Sequence, residues 1–383
     1  MRDVAIIGVG MTQVSEHWAV SLRELAQDAL TEALNDANVE QIDALYVGNA
    51  FSPTFSSQSH LGSVIADFAG LSGIEAFSFE AADASGGVAL RAGYIAVASG
   101  LVDTVAVLGV EKSTDAIAGA RVEARNVGLD ADYESIHGAT LPALAGLLMR
   151  RYMHEYNVEL SAFEGFSVNA HTNGKRNAKA MFRNQLRAGA FAKAGMVADP
   201  VNLFDSAPDG DGAACVILTA LDSADNIKNP PVVIAGSAVS TDTFKLQDRK
   251  DPLFLAGVQL SAQKALEQAE VSTNQLNFAE LHDSFTIVTT LTLEALGLAE
   301  RGFGWQFADS DIGINDKLPI STFGGLKSRG NPVGATGIYQ AVEATLQLRG
   351  QAGDNQVPNA KVGLIQNLGG LGSTVATHVL RVL

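Results

Sequence analysis

The chain has 383 residues, 47% of them hydrophobic and 18% charged, which is enough to bury a large core in about two structural units. Its net charge of −16 contains no Lys/Arg block, so a nucleic-acid or anionic-membrane surface is not expected. One cysteine, Cys215, excludes an internal disulfide framework and a Cys-based zinc site, and no apolar run reaches membrane-spanning length. The N-terminal stretch Met1 to Met11 reads as a first strand rather than a signal peptide, and the cytoplasm is the expected location. With 38 Gly and 10 Pro, the composition suits an α/β protein with many tight turns.

In chain order, Val4 to Ile7 is a β-branched run closed by Gly8 and Gly10, and predicts a buried strand. Ser21 with Glu24 three residues later is a capping box opening a helix to Ala37. Strands are expected at Ala44 to Val47, Ala76 to Glu80 and Thr104 to Leu108, with a small-residue helix before the last, running to Ala98. The second half repeats this order. Pro231 to Gly236 echoes the first strand, Ser261 to Ala269 is helical, and Phe278 to His282 is strand-like. Ile320 to Phe323 leads into a glycine-rich turn, a helix runs from Ile338 to Leu348, and Val362 to Ile365 ends in another glycine loop. Matched order over so long a period predicts a duplication, with halves at 1–222 and 223–383. The stretch from about 111 to 200 has no counterpart in the second half. It contains a helical segment, Thr140 to Tyr156, and an Arg-, Lys- and Ala-rich segment, Phe182 to Gly195, and reads as an inserted cap over a site.

Four motifs on this scaffold resemble those of thiolases, in particular the archaeal and sterol-carrier-protein-type branch. Glu80-Ala81-Ala82-Asp83-Ala84-Ser85-Gly86-Gly87 resembles the nucleophile segment, with Asp83 in place of the cysteine. His282-Asp283-Ser284-Phe285 resembles the His-Asp-Cys-Phe motif, with Ser284 at the second cysteine. Gly330-Asn331-Pro332-Val333-Gly334-Ala335-Thr336-Gly337 resembles Gly-His-Pro-x-Gly-x-Thr-Gly, with Asn331 at the histidine. Asn367-Leu368-Gly369-Gly370-Leu371-Gly372 resembles the C-terminal glycine loop. The resemblance spans essentially the whole chain. It implies a five-layer α-β-α-β-α sandwich of two duplicated halves with an inserted loop domain. It also implies an acyl-CoA substrate, no cofactor beyond that CoA, and a homodimer or dimer of dimers.

The departures decide the expected chemistry. A thiolate nucleophile suits a helix N-terminus; Asp83 there is a poor acyl acceptor and serves as a base or as a helix N-cap. Ser284 cannot replace an acid/base thiol, whereas Asn331 still offers amide donors for an oxyanion hole alongside the glycine loops at Gly334, Gly369 and Gly370. His282 and Tyr339 complete the candidate bases. Cys215, inside the apolar run Ala213 to Leu218, reads as a core residue. His17, His60 and His137 lack metal-ligand spacing, and Asp205, Asp209 and Asp211 read as a turn rather than a cation loop. A thioester-binding site without a thiol fits retro-aldol cleavage of a β-hydroxyacyl-CoA. Thiolase-like aldolases that shorten steroid side chains resemble this logic and associate with small OB-fold partners. The alternatives are an acetyltransferase with an unorthodox site and a non-catalytic acyl-CoA-binding subunit.

Overall fold

The computed structural model describes residues 1–187, 189–224 and 227–382. Strand β1 (Val4–Met11) is buried along its whole length. It is followed by α1 (Leu22–Ala37), opened by the expected capping box: Glu24 N–H donates to Ser21 Oγ, and Ser21 N–H donates to Glu24 Oε2. The apolar face of α1 lies directly on β1, because a Cβ at Gly8 would stand 2.3 Å from the Ala33 carbonyl oxygen. The first half continues with β2 (Ala44–Gly48), α2 (Ser52–Phe55), α3 (Leu61–Phe68), β3 (Glu75–Phe79), α4 (Ser85–Ser99) and β4 (Thr104–Glu111). Next come α5 (Ala118–Asn126), α6 (Leu141–Tyr156), α7 (Glu164–Gly174), a short ribbon of β5 (Met196–Ala198) and β6 (Val201–Asn202), and then β7 (Gly212–Ala220).

The second half holds β8 (Val232–Thr241), α8 (Ala256–Ala269), β9 (Phe278–Glu280), α9 (Thr286–Ala295), α10 (Phe307–Ser310), α11 (Thr336–Leu348), β10 (Val362–Gly369) and β11 (Thr374–Arg381). Strand pairing makes the duplication explicit. The first half runs β3-β2-β4-β7-β1, parallel at β2–β3 and β2–β4, antiparallel at β4–β7 and β7–β1. The second runs Ile320-β9-β10-β11-β8 with the same sequence of parallel and antiparallel steps, Ile320 bridging Ala279 where β3 would lie. Even the close helix contact recurs, since a Cβ at Gly236 of β8 would stand 1.9 Å from the Ala265 carbonyl oxygen of α8. The two half-sheets join edge to edge through β1 and β8, so the hydrogen-bonded ladder is a single nine-stranded sheet.

Helices α1 and α3 pack outside the first half-sheet and α8 outside the second, while α4 and α11 pack on each other between them, giving the five layers. Among the described residues, no helix is long and apolar enough to cross a membrane. The segment between β4 and β7 contributes α6, whose Leu144, Leu148, Met149 and Tyr152 join the core cluster of α9.

Candidate active site

The central helices place the site. The first turns of α4 and α11 touch backbone to backbone: a Cβ at Gly337 would stand 2.3 Å from the Gly87 nitrogen, and one at Gly86 2.9 Å from the Gly334 carbonyl oxygen. Gly369, ending β10, faces the Ala81 carbonyl oxygen at 2.4 Å in the same sense, and Gly370 turns the chain at φ +57°. Three of the four sequence motifs therefore converge because glycine alone lets their backbones meet.

Asp83 lies just before α4, 3% exposed. Its expected alternative role as helix N-cap is not what the structure shows. Ala84 occupies the N-cap position and no side chain caps the helix. Instead, Arg125 Nη2 donates to Asp83 Oδ1 at 2.8 Å, while Arg125 Nη1 donates to Asp209. Asp83 Oδ2 accepts no hydrogen bond from the described residues. Arg125 comes from α5, and nothing in its local sequence marks it; only the fold brings it to Asp83.

His282 is 1% exposed, and burial is the main reason its pKa falls to about 4, with nearby Arg125 and Arg329 acting in the same direction and Asp83 against it. The ring is therefore neutral at pH 7. Its tautomer follows from its neighbour. Asn367 Oδ1 accepts the Gly87 N–H at 3.1 Å, so Asn367 Nδ2 is the atom 3.2 Å from His282 Nδ1 and donates to it. Nδ1 is then an acceptor and the proton sits on Nε2. In this arrangement His282 presents an N–H donor at Nε2.

Asn331, 1% exposed, has its Oδ1 committed to Val333 N–H (3.1 Å) and Thr336 Oγ1–H (2.9 Å), which leaves its amide N–H groups to donate. Ser284 is buried, and its Oγ has no hydrogen-bond partner among the described residues. Ser284 and Asn331 share a cleft of about 190 Å³ with Arg125, Asp209, Leu141 and Phe285. Gly334 differs from expectation: its N–H donates to Glu111 Oε2 at 3.2 Å and so is not free to bind an oxyanion. Glu111 also accepts from Ala50 N–H, Phe51 N–H and Asn49 Nδ2, and burial pushes its pKa up to about 7. It ties the loop after β2 to the Asn331 turn, a role the sequence reading missed.

Tyr339 is engaged elsewhere. It is fully buried, its hydroxyl donates to the Thr12 carbonyl oxygen at 3.1 Å, and burial raises its pKa. It belongs to the core beneath α11. Cys215 lies fully buried in β7, with burial raising its thiol pKa, and is not at the site. The Asp205–Asp211 turn uses its carboxylates internally. Asp205 accepts from Asn202 N–H and Thr286 Oγ1–H, Asp209 pairs with Arg125, and Asp211 accepts from Ser113, Thr114 and His17 N–H groups. Among the described residues, no group of three or more His, Cys, Asp or Glu side chains could hold a metal ion.

Comparison with known proteins decides the family. Residues 4–188 match the thiolase N-terminal domain and residues 238–382 the thiolase C-terminal domain-like family. An acetyl-CoA acetyltransferase of Methanothermobacter thermautotrophicus is 41% identical over 99% of both chains. The chain belongs to the thiolase superfamily. Human sterol carrier protein 2 is 30% identical over 98% of this chain and 72% of its own length. The solved structure of the Ltp2-ChsH2(DUF35) aldolase superposes with a TM-score of 0.85 over 99% of this chain and 98% of that one; at 22% identity it shows a shared fold. The protein is thus an enzyme of the thiolase type in which a carboxylate paired with a guanidinium, rather than a thiol, stands at the head of α4.

Proposed function

We propose that this thiolase-type enzyme cleaves the Cα–Cβ bond of a β-hydroxyacyl-CoA by a retro-aldol reaction. The observation that carries the reading is Asp83, held through Oδ1 by Arg125 with Oδ2 free among the described residues, in a chain whose single thiol is locked in β7. Asp83 takes the proton of the β-hydroxyl, the Cβ–O bond becomes a carbonyl, and the Cα–Cβ electron pair passes into the thioester as an enolate. Donors at His282 Nε2 and Asn331 Nδ2 stabilise the charge on the thioester oxygen. The enolate then recovers the proton at Cα, so that an aldehyde or ketone and a shorter acyl-CoA leave. No external cofactor enters this scheme.

The CoA arm has a route in keeping with this. A second, larger cleft of about 440 Å³ shares Val197, Ser206 and Ala207 with the first and is lined by Phe182, Leu186, Phe204 and Lys327. The segment 175–193 beside it carries Lys175, Arg176, Lys179, Arg183, Arg187 and Lys193 and no acidic residue, which suits a polyanionic nucleotide approaching an acidic protein. Acyl transfer is the second reading, favoured by the 41% identity to a protein named acetyl-CoA acetyltransferase. A homodimer, a cytoplasmic setting and a small OB-fold partner belong to the same proposal; the aldolase with the similar fold is itself described with a DUF35 partner.

The test is to incubate the enzyme with a panel of β-hydroxyacyl-CoAs, with and without candidate partners, and to measure released aldehyde or ketone. Asp83→Asn should lower that turnover by ~10²–10⁴-fold while folding is kept. Acetoacetyl-CoA formation from acetyl-CoA, with no carbonyl release from any β-hydroxyacyl-CoA, would sink the lyase reading in favour of acyl transfer.

A further inference from the structure

Arg125 links its helix to the site through two carboxylates. Helix α5 (Ala118–Asn126) has no buried residue, and Val122 on it is 48% exposed. Arg125 runs inward from that surface, its side chain only 17% exposed, to fork between Asp83 at the head of α4 and Asp209 in the turn before β7. The fork uses one guanidinium nitrogen for each carboxylate and reaches only one oxygen of Asp83. A planar guanidinium bonded at two ends is held in one orientation, so the nitrogen that it presents to Asp83 Oδ1 is held in place as well.

We infer that Arg125 is the positioning residue of this site: anchored on Asp209, it holds Asp83 so that Oδ2, the oxygen without a partner among the described residues, meets the substrate's β-hydroxyl. The inference rests on the retro-aldol reading for its kinetic consequence, and on geometry alone for its effect at position 83. It also gives α5 a task. The helix carries the counter-ion that a carboxylate at the head of α4 requires, where a neutral residue would require none.

Two experiments separate the inference from the reaction on which it builds. The first is a double-mutant cycle on turnover. Arg125→Ala should lower kcat by roughly 10²-fold, the cost expected for a misplaced reacting group, with KM changed far less. In an Asp83→Asn background, the same change should add less than ~3-fold, because neighbours acting as one unit are not additive. Full additivity would overturn a role exerted through Asp83. Arg125→Lys keeps the charge but cannot span both carboxylates as a planar fork; full kcat in that variant would overturn positioning by the fork.

The second experiment needs no turnover. Asp83→Cys places a thiol beside Arg125, while Cys215 is fully buried and stays silent. Its alkylation by iodoacetamide, followed against pH, should shift its midpoint upward by about 1–3 pH units when Arg125→Ala is added, since an adjacent cation favours the anion. An unchanged midpoint would show that Arg125 does not act at position 83. Absence of lyase turnover in the wild type, together with a shifted midpoint, would remove the reaction and leave the placement of Arg125 standing.

Discussion

Asn367 sets the proton on His282, and changing it tests whether that histidine is a donor or a base. The side chain bridges the Gly87 N–H and His282 Nδ1 and is itself 2% exposed. Asn367→Ala orphans both groups in a buried site. At about 1–3 kcal/mol for each unsatisfied buried polar atom, the loss of stability is about 2–6 kcal/mol, readable by urea denaturation. The Nε2 proton is then no longer enforced, and loss of one oxyanion donor costs ~10²–10³-fold in kcat. Asn367→Asp is the sharper variant. A carboxylate still accepts from Gly87, so the fold is kept, but it now faces Nδ1 as an acceptor and draws a proton onto that nitrogen. Its charge favours the imidazolium and should raise the His282 pKa from about 4 toward the ordinary imidazole range near 6.5. The assay is kcat/KM between pH 5 and 8. The wild type should show no inflection from His282, whereas Asn367→Asp should show one that His282→Gln abolishes. A wild-type inflection near pH 6.5 that disappears in His282→Gln would refute the neutral-donor assignment.

Three further outcomes are expected. Incubation with acetyl-CoA should leave the protein mass unchanged after quenching, and Cys215→Ala should retain its activity; a stoichiometric acetyl adduct on Cys215 would contradict the thiol-free site. Strand β3 is the outer strand of the sheet and exposes Phe77 at 51%, so the wild type should scatter light as a dimer and Phe77→Glu as a monomer; a monomeric wild type at micromolar concentration would count against that edge. His378 donates through Nε2 to the Gly87 carbonyl oxygen, and burial lowers its pKa from 6.5 to about 4. Between those values the unfolded chain binds the proton and the folded one does not, so this histidine's contribution is lost as pH falls, by about 2 kcal/mol from pH 7 to pH 5. Glu111, Glu280 and Glu343, all raised by burial, act in the opposite sense, so the reading is the difference in pH slope between the wild type and His378→Gln; equal slopes would refute it.

The local pattern of the chain determined its elements and their repetition. Ser21 and Glu24 close a capping box wherever the helix lies, and the buried runs at β1, β2, β4 and β8 are β-branched and apolar because both faces of those strands are covered. The fifth strand of the second half, β11, was not legible, because its Thr and His positions break the apolar run and are buried only by the helices on its two faces, where Thr377 meets Ser261 of α8 and His378 meets Gly87 of α4. The motifs likewise located Asp83 and Asn331, which sit beside glycines that close contact requires, and His282 and Ser284 through the order His-Asp-Ser-Phe. What those side chains do was a tertiary matter. Asp83 could be an N-cap or a base until Arg125, 42 residues away, was seen to take its Oδ1. His282 could be a base or a donor until Asn367, 85 residues away, fixed its tautomer. Tyr339 could be a base until Thr12, 327 residues away, was seen to hold its hydroxyl. Residue type and spacing limit which proton chemistry is available, but the partner that selects one state arrives from a distant part of the chain, and only the fold brings it there.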